Sequence, residues 1–187
     1  MNEVQILTPE SLTYGQFVSL DEKLRSFYMY NLEFMKDSDI MYPVTDYFGN
    51  LEISSLSFGE VKEFITSLDS PEEMWKLVTR HYDEQKMVDE KAYKTIYTFR
   101  SIAEQIESII RYEQEILVSR VPNKYSVELE NAGFTAFDSW FIQRDELAGG
   151  DVTKYEQIDS LPYRTCFMKL LYNIKQGDVE KMILAKK

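Results

Sequence analysis

Between Ala92 and Leu117, apolar side chains recur as Ala92, Ile96, Phe99, Ala103, Ile106, Ile110 and Leu117, mostly in alternating steps of four and three. That spacing is the period of one helix face, and it predicts a single long helix from about Glu90 to Val118. One rung is missing, because Glu113 stands where the stripe asks for an apolar residue. Pro122-Asn123 closes the helix, since proline cannot continue it. A helix of this length buries its seam only against other helices, so the expected fold is mainly α, a single-domain helical bundle around one long central helix.

The rest of the chain supplies partners for that seam. Phe17, Leu20, Leu24, Tyr28, Leu32 and Met35 repeat the helical period from Tyr14 to about Met35. Shorter helices are expected over Phe58–Leu68, Pro71–Tyr82, Tyr125–Asn131, Phe134–Leu147 and Val152–Ile158. Pro162 opens another to about Lys175, and Gly177-Asp178 introduces a last short one. Ala132-Gly133 and Gly149-Gly150 read as left-handed stops. Residues 37–54, with Pro43 and Gly49-Asn50, break the period and predict a protruding loop or small hairpin. Residues 1–12 read as an extended N-terminal arm. No low-complexity linker divides the chain, so one helical domain is expected over residues 1–187.

Two stretches share a pattern: Ser11 to Phe17, SLTYGQF, and Ser55 to Val61, SLSFGEV. Thr13 with Gln16, and Ser57 with Glu60, each fit a capping box, in which two side chains satisfy amides left unpaired at a helix start. Ser70-Pro71-Glu72-Glu73 offers a third, with proline at the first helical position. A phosphate cradle would need several glycines and a Lys-Ser/Thr pair, or three spaced glycines after a strand, and neither is present. Gly15 and Gly59 weaken the helices they open, which points to close packing of another backbone there.

Catalytic and metal-binding patterns are sparse. His81 is the only histidine, which rules out His-pair metal sites, and beside Asp83 and Glu84 it reads as a solvated turn. Cys166 is the only cysteine, sits in an apolar helical run, and reads as a buried structural thiol. Asp37-Ser38-Asp39 resembles the start of a calcium loop, but Tyr42 and Phe48 stand where glycine and the terminal glutamate belong. Glu104, Glu107, Glu113 and Glu115 read as a charged helix face with arginine partners, because a carboxylate-bridged metal bundle needs more histidine. No catalytic residue, metal or cofactor is expected.

Thirty-two acidic against 21 basic residues give a net charge of −11, which disfavours nucleic acid and anionic membranes as partners. No apolar run approaches the roughly 20 residues of a membrane span, and no signal peptide is expected. Thirteen Tyr and 11 Phe must fill a core or a contact. Candidate contact residues are Tyr14, Gly15, Phe58 and Gly59 at the paired helix starts, Tyr42, Tyr47 and Phe48 in the expected excursion, and Trp140 beside Phe134 and Phe137.

Glu128 to Tyr172, together with LTYGQF at Leu12 to Phe17 and EQEIL at Glu113 to Leu117, resembles small helical structural and assembly proteins of tailed bacteriophages, particularly those of Bacteroidetes. The resemblance is carried by those segments and by Ala132-Gly133, Leu147 to Asp151, Lys154-Tyr155-Glu156 and Leu161-Pro162-Tyr163. It implies a non-enzymatic virion protein of the head–tail connector or tail. The partners it implies are other phage structural proteins, in a homo-oligomeric ring or a mixed assembly. A tail-assembly chaperone or regulator is the alternative. The structural role implies location in the virion, and in the host cytoplasm during assembly; the alternative is absent from the mature virion.

Overall fold

A computed structural model of the chain describes residues 11–35, 45–119, 130–133 and 139–185. Most of the expected arm, the first part of the 37–54 excursion and most of the helix expected at Tyr125–Asn131 lie outside the described residues. Nine α-helices are described: α1 Tyr14–Val18, α2 Glu22–Met35, α3 Phe58–Thr66, α4 Pro71–Val78, α5 Glu84–Asp89, α6 Ala92–Ile116, α7 Ser139–Ala148, α8 Tyr155–Asp159 and α9 Tyr163–Leu184. Short 3-10 turns occupy Ile53–Ser55 and Val152–Lys154. The chain is mainly α, with α6 the long helix of 25 residues that the periodicity predicts.

Three helix boundaries and one cap depart from expectation. The stretch from Tyr14 to Met35 is two helices: the Ser19 hydroxyl donates back to the Gly15 carbonyl, and the Asp21 carboxylate accepts the Leu24 amide at 2.9 Å. Local side-chain bonds of this kind end one helix and start the next without disturbing the apolar spacing. The helix from Pro71 stops at Val78, and Asp83 then caps α5 by accepting the Lys86 amide. Ser70 makes no side-chain cap bond, so α4 starts instead on Pro71 with Glu72 and Glu73 in its first turn. Finally, α9 runs unbroken through Gly177 to Leu184.

The chain divides into two compact units, Met1–Leu51 with Ser70–Gln105, and Glu52–Asp69 with Ile106–Lys187, so α6 contributes to both. In the first unit Tyr28, Leu32, Ala92, Tyr93 and Tyr97 form a buried cluster, with Phe17, Leu20, Tyr47 and Ile96 packed against it. The buried threonines of the same unit have partners: the Thr95 hydroxyl donates to the Met87 carbonyl, and the Tyr47 amide donates to the Thr98 hydroxyl. In the second unit Ile53, Phe58, Val61, Phe64, Ile106, Cys166, Phe167 and Leu170 are buried.

Each unit contains one of the paired sequence stretches, and each stretch docks in the same way. Both capping boxes form, at Thr13 with Gln16 and at Ser57 with Glu60. In the first unit Thr13 makes an antiparallel bridge to Lys91; the Tyr14 amide donates to the Glu90 carbonyl and the Ala92 amide to the Leu12 carbonyl, both at 2.9 Å. In the second, Ser57 bridges Pro162; the Phe58 amide donates to the Leu161 carbonyl at 2.7 Å and the Tyr163 amide to the Leu56 carbonyl at 3.0 Å. Two helix starts are thereby tied to each other, and amides that helix geometry leaves unpaired find carbonyls.

The glycines follow from the same geometry. A Cβ on Gly15 would lie 2.9 Å from Val88 Cγ1, and one on Gly59 would lie 2.9 Å from Asp159 Cβ and 3.2 Å from its carbonyl oxygen. Val88 and Asp159 each sit four residues before the helix residue that donates across the bridge, Ala92 or Tyr163. The close neighbour expected at each glycine is this chain's own preceding short helix, α5 or α8.

Candidate functional site

The strongest concentration of chemistry in the second unit surrounds the missing rung of α6. Lys62 of α3 lies on the face that also buries Phe58, Val61 and Phe64, and the whole residue is only 3% exposed. An ammonium so enclosed needs a partner. Its Nζ stands 2.6 Å from each oxygen of the Glu113 carboxylate, and the Tyr163 hydroxyl donates to Glu113 Oε1 at 2.8 Å. The rings of Phe58 and Tyr163 lie 5.5 and 6.0 Å from the same ammonium. Lys62 is therefore committed as a charge, and the cluster reads as a neutralised structural ion pair. The arginines on the same helix are not the main partners of Glu113.

A cleft of about 340 Å3 opens beside this cluster, lined by Lys62, Thr66, Glu113, Trp140 and Gln143 among others. Next to Trp140, the Arg144 guanidinium pairs with Asp159 at 3.1 Å and lies 4.4 Å from the Tyr155 ring and 5.1 Å from that of Trp140. The Tyr155 hydroxyl donates to Asp145 at 2.8 Å, so α7 and α8 are joined by two side-chain bonds. Gly149 and Gly150 end α7 with φ of 67° and 78°, the left-handed stop expected there.

Cys166 is buried, and its thiol is pushed up to about 11, first by burial and then by the nearby charge of Asp159. A thiol held protonated is a poor nucleophile. The hydroxyls of Tyr163 and Tyr82 are also held protonated well above the ordinary tyrosine range, burial being the larger cause and Glu113 or Asp46 the next. His81 is half-buried in the turn after α4. Among the described residues no three His, Cys, Asp or Glu side chains gather as a metal site.

These raised values carry a pH dependence. The unfolded chain loses protons from cysteine near its ordinary 9.0 and from tyrosine near 10.0, while the folded chain keeps them. Between those values and the folded ones the native state binds more protons, so stability falls as pH rises. Stability is present in full below pH about 9 and is lost through about 11. Thermal melts between these limits are expected to show a steadily falling midpoint. A midpoint constant to pH 11 contradicts the burial of these groups.

The candidate contact residues fall mostly inside the units. Phe58 and Gly59 are buried in the second unit. Tyr14 is half-buried, its ring stacked on Trp75 at 5.2 Å, and Trp75 stacks in turn on Phe99 at 5.7 Å. Gly15 lies under Val88. Tyr47 meets Tyr93 edge-on at 5.8 Å. Phe48 lies 6.2 Å from Tyr82. The turn that carries them is organised by the Asp46 carboxylate, which accepts the amides of Phe48, Gly49 and Leu51 and the hydroxyl of Tyr82. Trp140 is half-buried under Arg144, and Tyr42 lies outside the described residues.

The exposed apolar side chains lie elsewhere. On α9, Met168, Tyr172, Val179, Met182, Ile183 and Leu184 are each at least half exposed. On α2, Leu24, Phe27 and Tyr30 are exposed. The α9 residues were legible as apolar in the sequence, but their alignment becomes visible only when the helix is continuous through Gly177. No described helix is long and apolar enough to cross a membrane.

No family model, curated protein or solved structure matches this chain.

Proposed function

We propose that the protein is a non-enzymatic structural component of a tailed bacteriophage, of the head–tail connector or tail, that works through protein–protein contacts. The observation that carries this reading is the row of exposed apolar side chains on α9, in a chain whose net charge of −11 otherwise favours solvent. Surfaces of this kind mark contact sites. The buried ionisable groups support it from the other side: Lys62 and Glu113 neutralise each other, and the Cys166 thiol is held protonated. The phage assignment itself rests on the resemblance of Leu12 to Phe17, Glu113 to Leu117 and Glu128 to Tyr172. The partners proposed are other virion proteins and further copies of the chain, in a ring closed by rotation or a mixed assembly.

Mass spectrometry of purified particles tests the reading. The chain is expected in the particle at a fixed multiple of the other structural proteins. Presence in infected cells with absence from particles replaces the structural role by that of an assembly chaperone. A turnover abolished by His81→Ala or Cys166→Ser overturns the non-enzymatic reading altogether.

A further inference from the structure

Helix α9 carries apolar residues on two opposite sides. Tyr163, Cys166, Phe167 and Leu170 face the interior of the second unit, and Asp178 continues that face, accepting the Ser119 hydroxyl at 2.5 Å. At 100° per residue, the opposite side is a single line through Met168, Tyr172, Val179 and Ile183, which are 55–58% exposed. Lys175 and Gln176 flank the line where the gap falls between Tyr172 and Val179, and both are exposed.

The spacing of this line is symmetric. Met168 and Ile183 lie equally far from the midpoint between Lys175 and Gln176, and so do Tyr172 and Val179. A two-fold axis through that midpoint sets a second helix antiparallel, with Met168 against Ile183 and Tyr172 against Val179, each contact made twice. Lys175 then meets Gln176 of the second copy instead of its own counterpart, so the centre of the pair brings no like charges face to face. An isologous contact requires this kind of self-complementarity, and an arbitrary partner does not.

We infer that the outer line of α9 pairs antiparallel with the same line of a second copy of this chain. Half-exposed side chains of this size leave on the order of 100 Å2 each, so the four with flanking Met182 present roughly 500 Å2 per copy and about 1,000 Å2 per pair, the least that a specific interface needs. The polar centre fixes register, as a lone polar residue does in a helical seam. The contact closes on itself and gives a dimer. It does not depend on the phage assignment, so either can fail without the other.

Sedimentation equilibrium of the full chain over a range of concentrations tests it, together with Val179→Glu and Tyr172→Glu, whose native side chains are each more than half exposed. The wild type is expected to dimerise reversibly, and each variant to weaken the dimer roughly tenfold or more with unchanged circular dichroism. A double variant, Met168→Cys with Ile183→Cys, is expected to form an oxidised covalent dimer, while Met168→Cys alone does not. The two positions are about 22 Å apart within one helix and cannot link to each other there. A wild-type monomer at every concentration, a dimer indifferent to both glutamates, or self-linking by Met168→Cys alone overturns the inference.

Discussion

Glu113→Ala is expected to cost the second unit about 3–5 kcal/mol, because it leaves the Lys62 charge buried without its counter-ion. The substitution removes both 2.6 Å contacts to the ammonium and the acceptor of the Tyr163 hydroxyl. Lys62 is nearly closed off from solvent even beside the cleft, its side chain 4% exposed and its ammonium lying near the rings of Phe58 and Tyr163. Removing both charges tells a different story: Lys62→Met with Glu113→Leu keeps the volume and is expected to fall within about 2 kcal/mol of the wild type. Denaturant unfolding of the wild type, Lys62→Met, Glu113→Leu and the double variant gives the cycle. The two tryptophans help, as Trp75 lies in the first unit and Trp140 in the second, so Trp75→Phe leaves a fluorescence probe of the second alone. A cost below about 1 kcal/mol for Glu113→Ala shows that water reaches Lys62 and that the pair is not buried.

The second large effect separates two glycines of the same chain. Gly59→Ala gains about 1 kcal/mol of helix propensity but drives a methyl into the Asp159 backbone, 3.2 Å from its carbonyl oxygen and 3.4 Å from its Cα. That backbone cannot retreat cheaply, because the Phe58 amide holds the Leu161 carbonyl two residues further on and Arg144 holds the Asp159 carboxylate. Overpacking against a fixed neighbour costs about 1–3 kcal/mol, so the net change is a destabilisation of about 1–2 kcal/mol. Gly177 has nothing within 4 Å of an added Cβ and lies in the interior of α9, so Gly177→Ala is expected to stabilise by about 0.5–1 kcal/mol. Melting curves decide the matter by sign. If both substitutions move the midpoint the same way, the close approach at Gly59 is not rigid.

Where an interaction is local, the sequence already contains it. The boxes at Thr13 and Ser57 each need two side chains three residues apart, and both form. The box at Ser70 has the same spacing and does not form, since Pro71 and two acidic residues already serve that helix start. The break at Ser19–Asp21 is local too, yet the apolar period passes over it, because Phe17 and Tyr28 reach each other across the turn with rings 5.3 Å apart. Gly177 suggests a boundary through its intrinsic cost of about 1 kcal/mol, which a continuous 22-residue helix outweighs.

Periodicity, capping chemistry and composition by themselves determined that this chain is helical, where α6 runs, and that two helix starts share one design. Each of those is a relation among residues within a turn or two of one another. Tertiary structure alone decided why Glu113 interrupts its stripe, why Gly15 and Gly59 carry no side chain, and which apolar residues remain outside. The partner of Glu113 lies 51 residues away, and the residue over Gly59 lies 100 away. A buried charge or a missing Cβ is explained only by what comes to lie against it, and local spacing does not hold that information.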